Sequence, residues 1–158
     1  MNMEFSCHGC GHCCEGEGGI VVSSSDLARL IGHLTISAEE FEQSYGVRRG
    51  GKLFVRTGED GNCIFYQAGL GCKVHAAKPN ICRAWPFFRG NLIDPESLDL
   101  SRHFCPGIPR DLDFQSFVRQ GLSYLVAQGL AAGEGQDEAR ALQVTDLLEQ
   151  LAAEAKNR

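Results

Sequence analysis

The sequence predicts an α+β fold, in which a small cysteine-rich region of short strands and loops precedes a C-terminal helical hairpin. Short β-forming runs such as Ile20-Val21-Val22 alternate with glycine-rich turns. All eight cysteines lie before residue 110, and from Asp111 onward apolar residues recur at helical spacing. We therefore expect residues 1–110 to form a cysteine-rich region and residues 111–158 a helical hairpin packed on it, both within a single domain.

Two short helices are predicted after the first strand. Ser24 or Ser25 can cap a helix that runs to about His33, because leucine and isoleucine follow at helical spacing. Ser37 and Glu40 have the spacing of a capping box, which predicts a second helix that ends before Gly46.

A β-meander is predicted in the middle of the chain. Residues 52–57 and 63–67 are expected to be strands on either side of a turn at 58–62, and residues 71–75 a third strand. Residues 48–52 are expected to be a basic, solvated turn.

The second half of the chain is predicted to contain a helical turn, then a mainly loop segment, and two helices at the end. Pro79 is expected to open a helical turn through Arg83, and residues 89–104 are expected to be mainly loop with a short helix around Ser97. One helix should then end before Gly133, and a last helix should begin at Asp137.

Composition excludes several classes of protein. A net charge of −5 argues against generic binding of nucleic acid, which requires cations to neutralise phosphates. No apolar run reaches the ~18 residues of a membrane span, and the first residues lack the pattern of a signal peptide. The cysteine content of about 5% is below that of secreted disulfide scaffolds. We expect a cytoplasmic location, where thiols more often bind metals or act in catalysis than form disulfides.

The strongest chemical signal is the segment Cys7-His8-Gly9-Cys10-Gly11-His12-Cys13-Cys14. Two-residue spacing lets successive thiolates face a common point, and glycine lets the backbone approach a metal closely. Disulfides between cysteines this close in sequence are strained, and four buried cysteines would be unusual in so hydrophilic a segment. The CxxCxxCC pattern therefore predicts metal ligation.

The remaining cysteines supply four more sulfurs, at Cys63, Cys72, Cys82 and Cys105. Eight thiolates divide into two sites of four, the number used by structural zinc and by most iron–sulfur clusters. A zinc ribbon would contain two CxxC pairs in separate regions, whereas the CxxCxxC run suits three irons of a cubane cluster. An iron–sulfur cluster is therefore favoured over zinc or iron ions.

The adjacent Cys13 and Cys14 leave two arrangements open. In an extended backbone their side chains point to opposite sides, and Cys14 would join Cys63, Cys72 and Cys82. The other site would then use Cys7, Cys10, Cys13 and Cys105. In a tight turn, both sulfurs could instead reach one polynuclear site.

Histidines and cations accompany the cysteines. His8, His12, His75 and His103 are expected to form hydrogen bonds or face solvent rather than bind metal, and His75 is the best candidate for an added ligand. Four cations would lower the pKa of nearby thiols or form ordinary surface charge: Lys73, Lys78, Arg83 and Arg102.

The cysteine order over residues 5–109 resembles the YkgJ-type CxxCxxCC family of zinc- or iron-chelating proteins. The matching residues are the CxxCxxCC run, Cys63, Cys72-Lys73-Val74-His75-Ala76-Ala77-Lys78-Pro79-Asn80-Ile81-Cys82-Arg83, Trp85-Pro86-Phe87 and Cys105-Pro106-Gly107. The family commonly has Tyr and Arg-Pro where this chain has His75 and Lys78-Pro79. The resemblance implies metal binding by thiolates, with zinc and iron–sulfur both proposed, and it implies no particular reaction.

Three functions are consistent with these residues. The first is a metal-binding protein without catalysis of its own, and the second is a redox or electron-transfer enzyme component that uses an iron–sulfur cluster. The third is a thiol switch at Cys7 and Cys10. No complete catalytic motif is present in the sequence, so enzymatic activity is left open.

Overall fold

The structure is a computed structural model that describes residues 4–14, 19–133 and 138–158. The chain divides into two units, one formed by residues 7–83 and the other by residues 1–6 with 84–158. Both helices and short antiparallel strands are present, so the predicted α+β class is confirmed. The predicted boundary at residue 110 stays a prediction, as does the packing of the residue 111–158 region on the cysteine-rich region.

In the unit of residues 7–83, two capped helices come first. Helix α1 spans Ser24–Leu34 and begins at a capping box formed by Ser23 and Asp26, so its cap lies at least one residue before the predicted position. Helix α2 spans Ala38–Tyr45, and its capping box with Ser37 as N-cap confirms the prediction.

A β-hairpin follows α2 directly. Strand β1 (Gly46–Arg49) pairs with β2 (Lys52–Val55) in antiparallel register, with Arg49 opposite Lys52. Gly50 and Gly51 both have positive φ, at 57° and 80°, as the tight turn of a right-twisted hairpin requires. The prediction of a basic turn at 48–52 is therefore wrong for the arginines, which lie in a strand.

The rest of the predicted meander is shorter than expected. Strands β3 (Tyr66–Gln67) and β4 (Gly71–Cys72) pair with each other, and Cys63 forms only an isolated bridge with Thr57. Helix α3 (Asn80–Ala84) then carries Cys82, which confirms the predicted helical turn.

The core of this unit lies among α1, α2 and the hairpin. Leu30 and Phe41 are fully buried, and the Phe41 ring stacks on Phe65 with centroids 6.3 Å apart. The other buried members are Val22, Leu53, Val55, Val74 and Ala77.

In the unit of residues 84–158, the segment predicted to be mainly loop is helical. Helix α4 spans Arg89–Ile93 and helix α5 spans Pro95–Phe104. The Asp94 carboxylate accepts a hydrogen bond from the Glu96 N–H at 3.1 Å, and Pro95 lies at the first helical position. Asp94 and Pro95 thus begin a helix of 10 residues where only a short helix around Ser97 was predicted.

Two further helices complete this unit. Helix α6 (Phe114–Ala127) confirms the predicted stripe, but α7 (Thr145–Lys156) begins later than predicted. The predicted start at Asp137 lies outside the described residues. The Arg89 guanidinium forms two hydrogen bonds, of 2.6 and 2.8 Å, with the Asp146 carboxylate and so connects α4 to α7.

The core of this second unit is built around α6. Phe117, Leu122 and Leu125 of this helix are at most 1% exposed, and the Phe117 and Phe87 ring centroids are 5.2 Å apart. In the described parts of the chain, no helix is long and apolar enough to cross a membrane.

Candidate metal centre

The cysteine-rich segment closes into a tight turn at its end. His12–Cys14 forms a 3-10 helix, and the Cys14 N–H donates to the Gly11 carbonyl at 2.9 Å. Gly11 has a φ of +79°, and a Cβ at this position would lie 2.6 Å from the Tyr66 ring. Only glycine fits both the backbone conformation and the space, so Gly11 determines where Cys13 and Cys14 are placed.

A backbone hydrogen bond joins this turn to the loop that carries the next cysteine. The Cys63 N–H donates to the Cys14 carbonyl at 2.9 Å. This bond brings together residues that are far apart in the sequence, and it was not predictable from cysteine spacing.

The side chain of Cys14 shifts the pKa of two other cysteines. Hydrogen bonds from the Cys14 thiol lower the pKa of Cys13 to about 6 and the pKa of Cys72 to about 7. The same hydrogen bonds raise the pKa of Cys14 itself, because they stabilise its protonated form. Cys14 is therefore the shared donor between two thiols that favour the thiolate.

The expectation that Cys13 and Cys14 serve different sites stays a prediction, but the backbone it assumed is not the one observed at His12–Cys14. It assumed an extended backbone, in which adjacent side chains point in opposite directions. In a 3-10 turn, consecutive side chains are separated by about 120°. The structure thus has the turn backbone of the second alternative, in which both sulfurs could reach one polynuclear site.

Two more cysteines complete the cluster. Burial raises the pKa of Cys63 and of Cys82, and neighbouring cysteine charges raise both pKa values further. For Cys82 these neighbours are Cys63, Cys13 and Cys72. We name these residues the five-thiol network: Cys13, Cys14, Cys63, Cys72 and Cys82.

One cation acts on this network. The Lys78 ammonium lowers the pKa of Cys13, Cys72 and Cys82, although hydrogen bonding or burial has the larger effect at each thiol. The positive charge of Lys78 favours the thiolate form that metals require. Arg102, another of the predicted cations, belongs to the other unit and pairs there with Asp99.

Three predicted ligands are not members of the five-thiol network. Cys7 and Cys10 are exposed, and Cys105 is buried within the unit of residues 84–158. In that unit the Ser6 N–H donates to the Gly107 carbonyl at 3.1 Å, and a Cβ on Gly107 would collide with the Ser6 carbonyl.

All eight cysteines lie in the described ranges, and each is a free thiol. Metal ligation by Cys7, Cys10 and Cys105 stays a prediction.

The histidines have different surroundings. The His103 ring nitrogen Nδ1 lies 2.7 Å from the Asp99 carbonyl within α5, and His12 contributes to the lowered pKa of Cys13. His8 and His75 are exposed. The prediction that these side chains face solvent or form hydrogen bonds is consistent with these positions, and whether His75 binds metal stays open.

The thiols of the network influence one another's pKa values without forming a closed coordination shell. Across residues 4–14, 19–133 and 138–158, no group of three or more His, Cys, Asp or Glu side chains is arranged so that it could hold a metal ion. The donor chemistry nevertheless fits zinc and iron–sulfur centres, because thiolate ligands select these metals over magnesium or calcium.

Comparison with known proteins agrees with this chemistry. Residues 6–106 match the model of the CxxCxxCC family, described as a "putative zinc- or iron-chelating domain". This chain belongs to that family. The match includes all eight cysteines, so the family description concerns the residues that the sequence analysis selected.

A curated relative extends the comparison. An uncharacterized protein of Methanocaldococcus jannaschii is 31% identical over 86 residues, which are 54% of this chain and 46% of the relative. The match thus spans about half of the relative's length. No solved structure matches this chain.

The sequence analysis did not select the polar residues that surround the start of α3. Hydrogen bonds there join Asp26, Arg29 and Asn80. Of these, Asn80 lies close to Cys82 in the sequence. Ser23 and Asp26 have the spacing of a capping box, and this spacing could have predicted that Asp26 lies in the first turn of α1. The contact with Asn80 spans 54 positions of the sequence and has no local signature.

Replacing Gly11 by alanine is expected to disturb the turn that carries Cys13 and Cys14. The added methyl group collides with the Tyr66 ring, and the positive φ strains any other residue. The free energy of unfolding, measured by urea denaturation, should fall by about 1–3 kcal/mol, and metal bound per chain should fall with it.

Gly9→Ala is the matched control for this substitution. Gly9 also has a positive φ, of +65°, but a Cβ there meets nothing within 4 Å. The control therefore introduces the backbone strain alone. Equal losses in both variants would contradict a role for the contact between Gly11 and Tyr66.

Proposed function

We propose that this chain holds an iron–sulfur cluster through cysteine thiolates, with the five-thiol network as the main part of the site. The observation that carries this proposal is the 2.9 Å hydrogen bond from the Cys63 N–H to the Cys14 carbonyl, which brings the Cys63 loop to the turn of Cys13 and Cys14. The influence of the Cys14 thiol on the pKa values of Cys13 and Cys72 supports it. Membership in a family described as zinc- or iron-chelating supports the binding of a metal. The number of thiols favours a polynuclear centre, because one structural zinc ion takes only four ligands.

The three remaining cysteines belong to the same proposal. Cys7, Cys10 and Cys105 would supply further thiolates, so that all eight cysteines act as ligands. The Lys78 ammonium would offset part of the negative charge that accumulates when several thiolates ionise. A reducing, cytoplasmic compartment would keep the cysteines in the thiol form that this requires.

A role in electron transfer is the second candidate function. Cys13 is exposed although it belongs to the five-thiol network. A cluster ligated there would lie close to the protein surface, where a redox partner could approach it. Such a chain would act as a component of a redox enzyme rather than as a metal carrier.

Metal and sulfide analysis of protein purified without oxygen tests these candidates. The proposed cluster predicts iron, acid-labile sulfide and a brown colour that bleaches reversibly on reduction. Zinc without sulfide would overturn the iron–sulfur cluster and leave metal binding in place. A protein that takes up neither metal would overturn both, and a cluster that dithionite cannot reduce would contradict electron transfer.

Removal of the metal is expected to lower the midpoint of thermal unfolding, Tm. A metal that binds only the folded chain stabilises it by about 4 kcal/mol at a thousand times its dissociation constant. For a chain of this size, that corresponds to a decrease in Tm of about 8–16 °C after chelation. Differential scanning calorimetry before and after chelation measures the change, and restoring the metal should restore Tm. An unchanged Tm would contradict a metal that stabilises the fold.

A further inference from the structure

The start of α3 rests against a buried carboxylate from α1. The Asp26 side chain is fully buried, and its Oδ1 accepts a hydrogen bond from the Asn80 backbone N–H at 2.9 Å. Asn80 is the first residue of α3, which carries Cys82. The carboxylate of one helix thus fixes the first residue of another.

Arg29 extends this contact to the residues around it. Its guanidinium donates to Asp26 Oδ1 at 2.7 Å, to the Lys78 carbonyl at 3.2 Å and to Asn80 Oδ1 at 3.1 Å. The buried carboxylate is therefore paired with a positive charge, as a buried carboxylate requires. Residues 78–80 are held at a side chain and at two backbone groups.

We propose that Asp26 and Arg29 are positioning residues for the metal centre. They hold the segment of residues 78–82, so that the Cys82 thiol and the Lys78 ammonium stay next to the other thiols of the network. Neighbouring cysteine charges raise the pKa of Cys82, and the Lys78 ammonium lowers the pKa of Cys72, which is consistent with this placement. This inference rests on the proposed function, because it concerns the same site.

The two carboxylate oxygens of Asp26 have different partners, so the positioning role can be tested separately from helix capping. Oδ2 accepts from the Ser23 N–H at 3.0 Å and closes the capping box of α1, whereas Oδ1 faces Arg29 and α3. The Ser23 hydroxyl accepts from the Asp26 N–H at 3.2 Å and lies 3.1 Å from the Ser25 hydroxyl, so its contacts are with the first turn of α1. Ser23→Ala therefore weakens the cap of α1 and leaves the α3 contact in place.

Labelling of cysteines in the metal-free protein tests the positioning role directly. In Asp26→Asn, an amide replaces the charged acceptor of Arg29, and the rate at which Cys82 reacts with iodoacetamide should rise roughly tenfold or more. Peptide mass spectrometry measures this rate relative to Cys105, which is buried in the unit of residues 84–158 and reports on the unfolding of that unit. The Cys82-to-Cys105 ratio should stay at the wild-type value in Ser23→Ala.

Arg29→Lys is the second variant, which decides the result if Asp26→Asn does not fold. Arg29 makes all three bonds through its Nη2 atom, and lysine keeps the positive charge on a side chain that is one bond shorter. Its ammonium group cannot take the position of Nη2, so it cannot bond to Asp26, Lys78 and Asn80 together. The Cys82-to-Cys105 ratio should rise in this variant as well. A ratio that stays at the wild-type value in the folded variant, or that rises equally in Ser23→Ala, would overturn the positioning role.

Titration with Co²⁺ separates this inference from the proposed function. Affinity should fall about 10–100-fold in Asp26→Asn, the usual effect of removing a group that orients metal ligands. The absorption bands of cobalt–thiolate bonds should weaken in the same variant and persist in Ser23→Ala. Wild-type protein that binds neither Co²⁺ nor iron would refute the proposed function, whereas the labelling result would still decide whether Asp26 holds Cys82.

Discussion

Replacing Cys14 by serine is expected to remove most of the bound metal. The Cys14 carbonyl accepts the Cys63 N–H at 2.9 Å, and hydrogen bonding from the Cys14 thiol lowers the pKa of both Cys13 and Cys72. Serine has a similar size and keeps a hydroxyl donor, but it lacks the soft thiolate that binds zinc or iron–sulfur centres. Loss of groups that only orient ligands costs 10–100-fold in affinity, so loss of this sulfur should cost more than about 100-fold. Metal per chain, measured by elemental analysis after gel filtration, checks the result.

His8→Ala is the control for the Cys14 variant. His8 lies in the same segment and is exposed, and it is not expected to bind metal. The metal content of the His8→Ala protein should therefore equal that of the wild type. The metal-free Cys14→Ser protein should also unfold at nearly the wild-type urea concentration, because the backbone contacts of residue 14 persist. Full metal content in Cys14→Ser would remove Cys14 from the centre of the proposed site.

The candidate ligands could be selected from the sequence, but their grouping in the structure could not be predicted from it. Cysteine count and spacing led to the correct family and to the residues that form the five-thiol network. The division into two sites depended on the backbone at Cys13 and Cys14, where extended and turn geometries place the sulfurs differently. The turn is determined by the contact of Gly11 with the Tyr66 ring, which lies more than 50 positions away in the sequence.

The same distinction between local and distant signals explains which helices and strands could be predicted. The capping box at Ser37 is local, and α2 was predicted with its correct start. The pair Asp94-Pro95 is compatible with a turn or with a helix start, and only packing of Leu98 into the core decides between them. Strands β3 and β4 contain two residues each, too few for alternation of apolar residues to define their ends.

Replacing Phe117 by alanine is expected to cause the largest loss of stability in the unit of residues 84–158. Phe117 is 0% exposed, and its ring centroid lies 5.2 Å from that of Phe87. The substitution leaves a cavity among buried side chains of this unit, which costs about 3–5 kcal/mol. Urea denaturation followed by circular dichroism measures the free energy of unfolding. Val126→Ala, at a position of the same helix that is 56% exposed, should change it by less than about 0.5 kcal/mol.

The Phe117 variant also tests the prediction that the chain is a single domain. Phe117 belongs to the unit of residues 84–158, whereas the five-thiol network belongs to the unit of residues 7–83. If both units unfold cooperatively, Phe117→Ala should lower the urea midpoint for release of metal as much as it lowers the midpoint for loss of helix. Metal release that keeps its wild-type midpoint while helix is lost earlier would contradict the single domain. The network would then be stabilised by its own unit, and Cys105 could not be required to retain the metal.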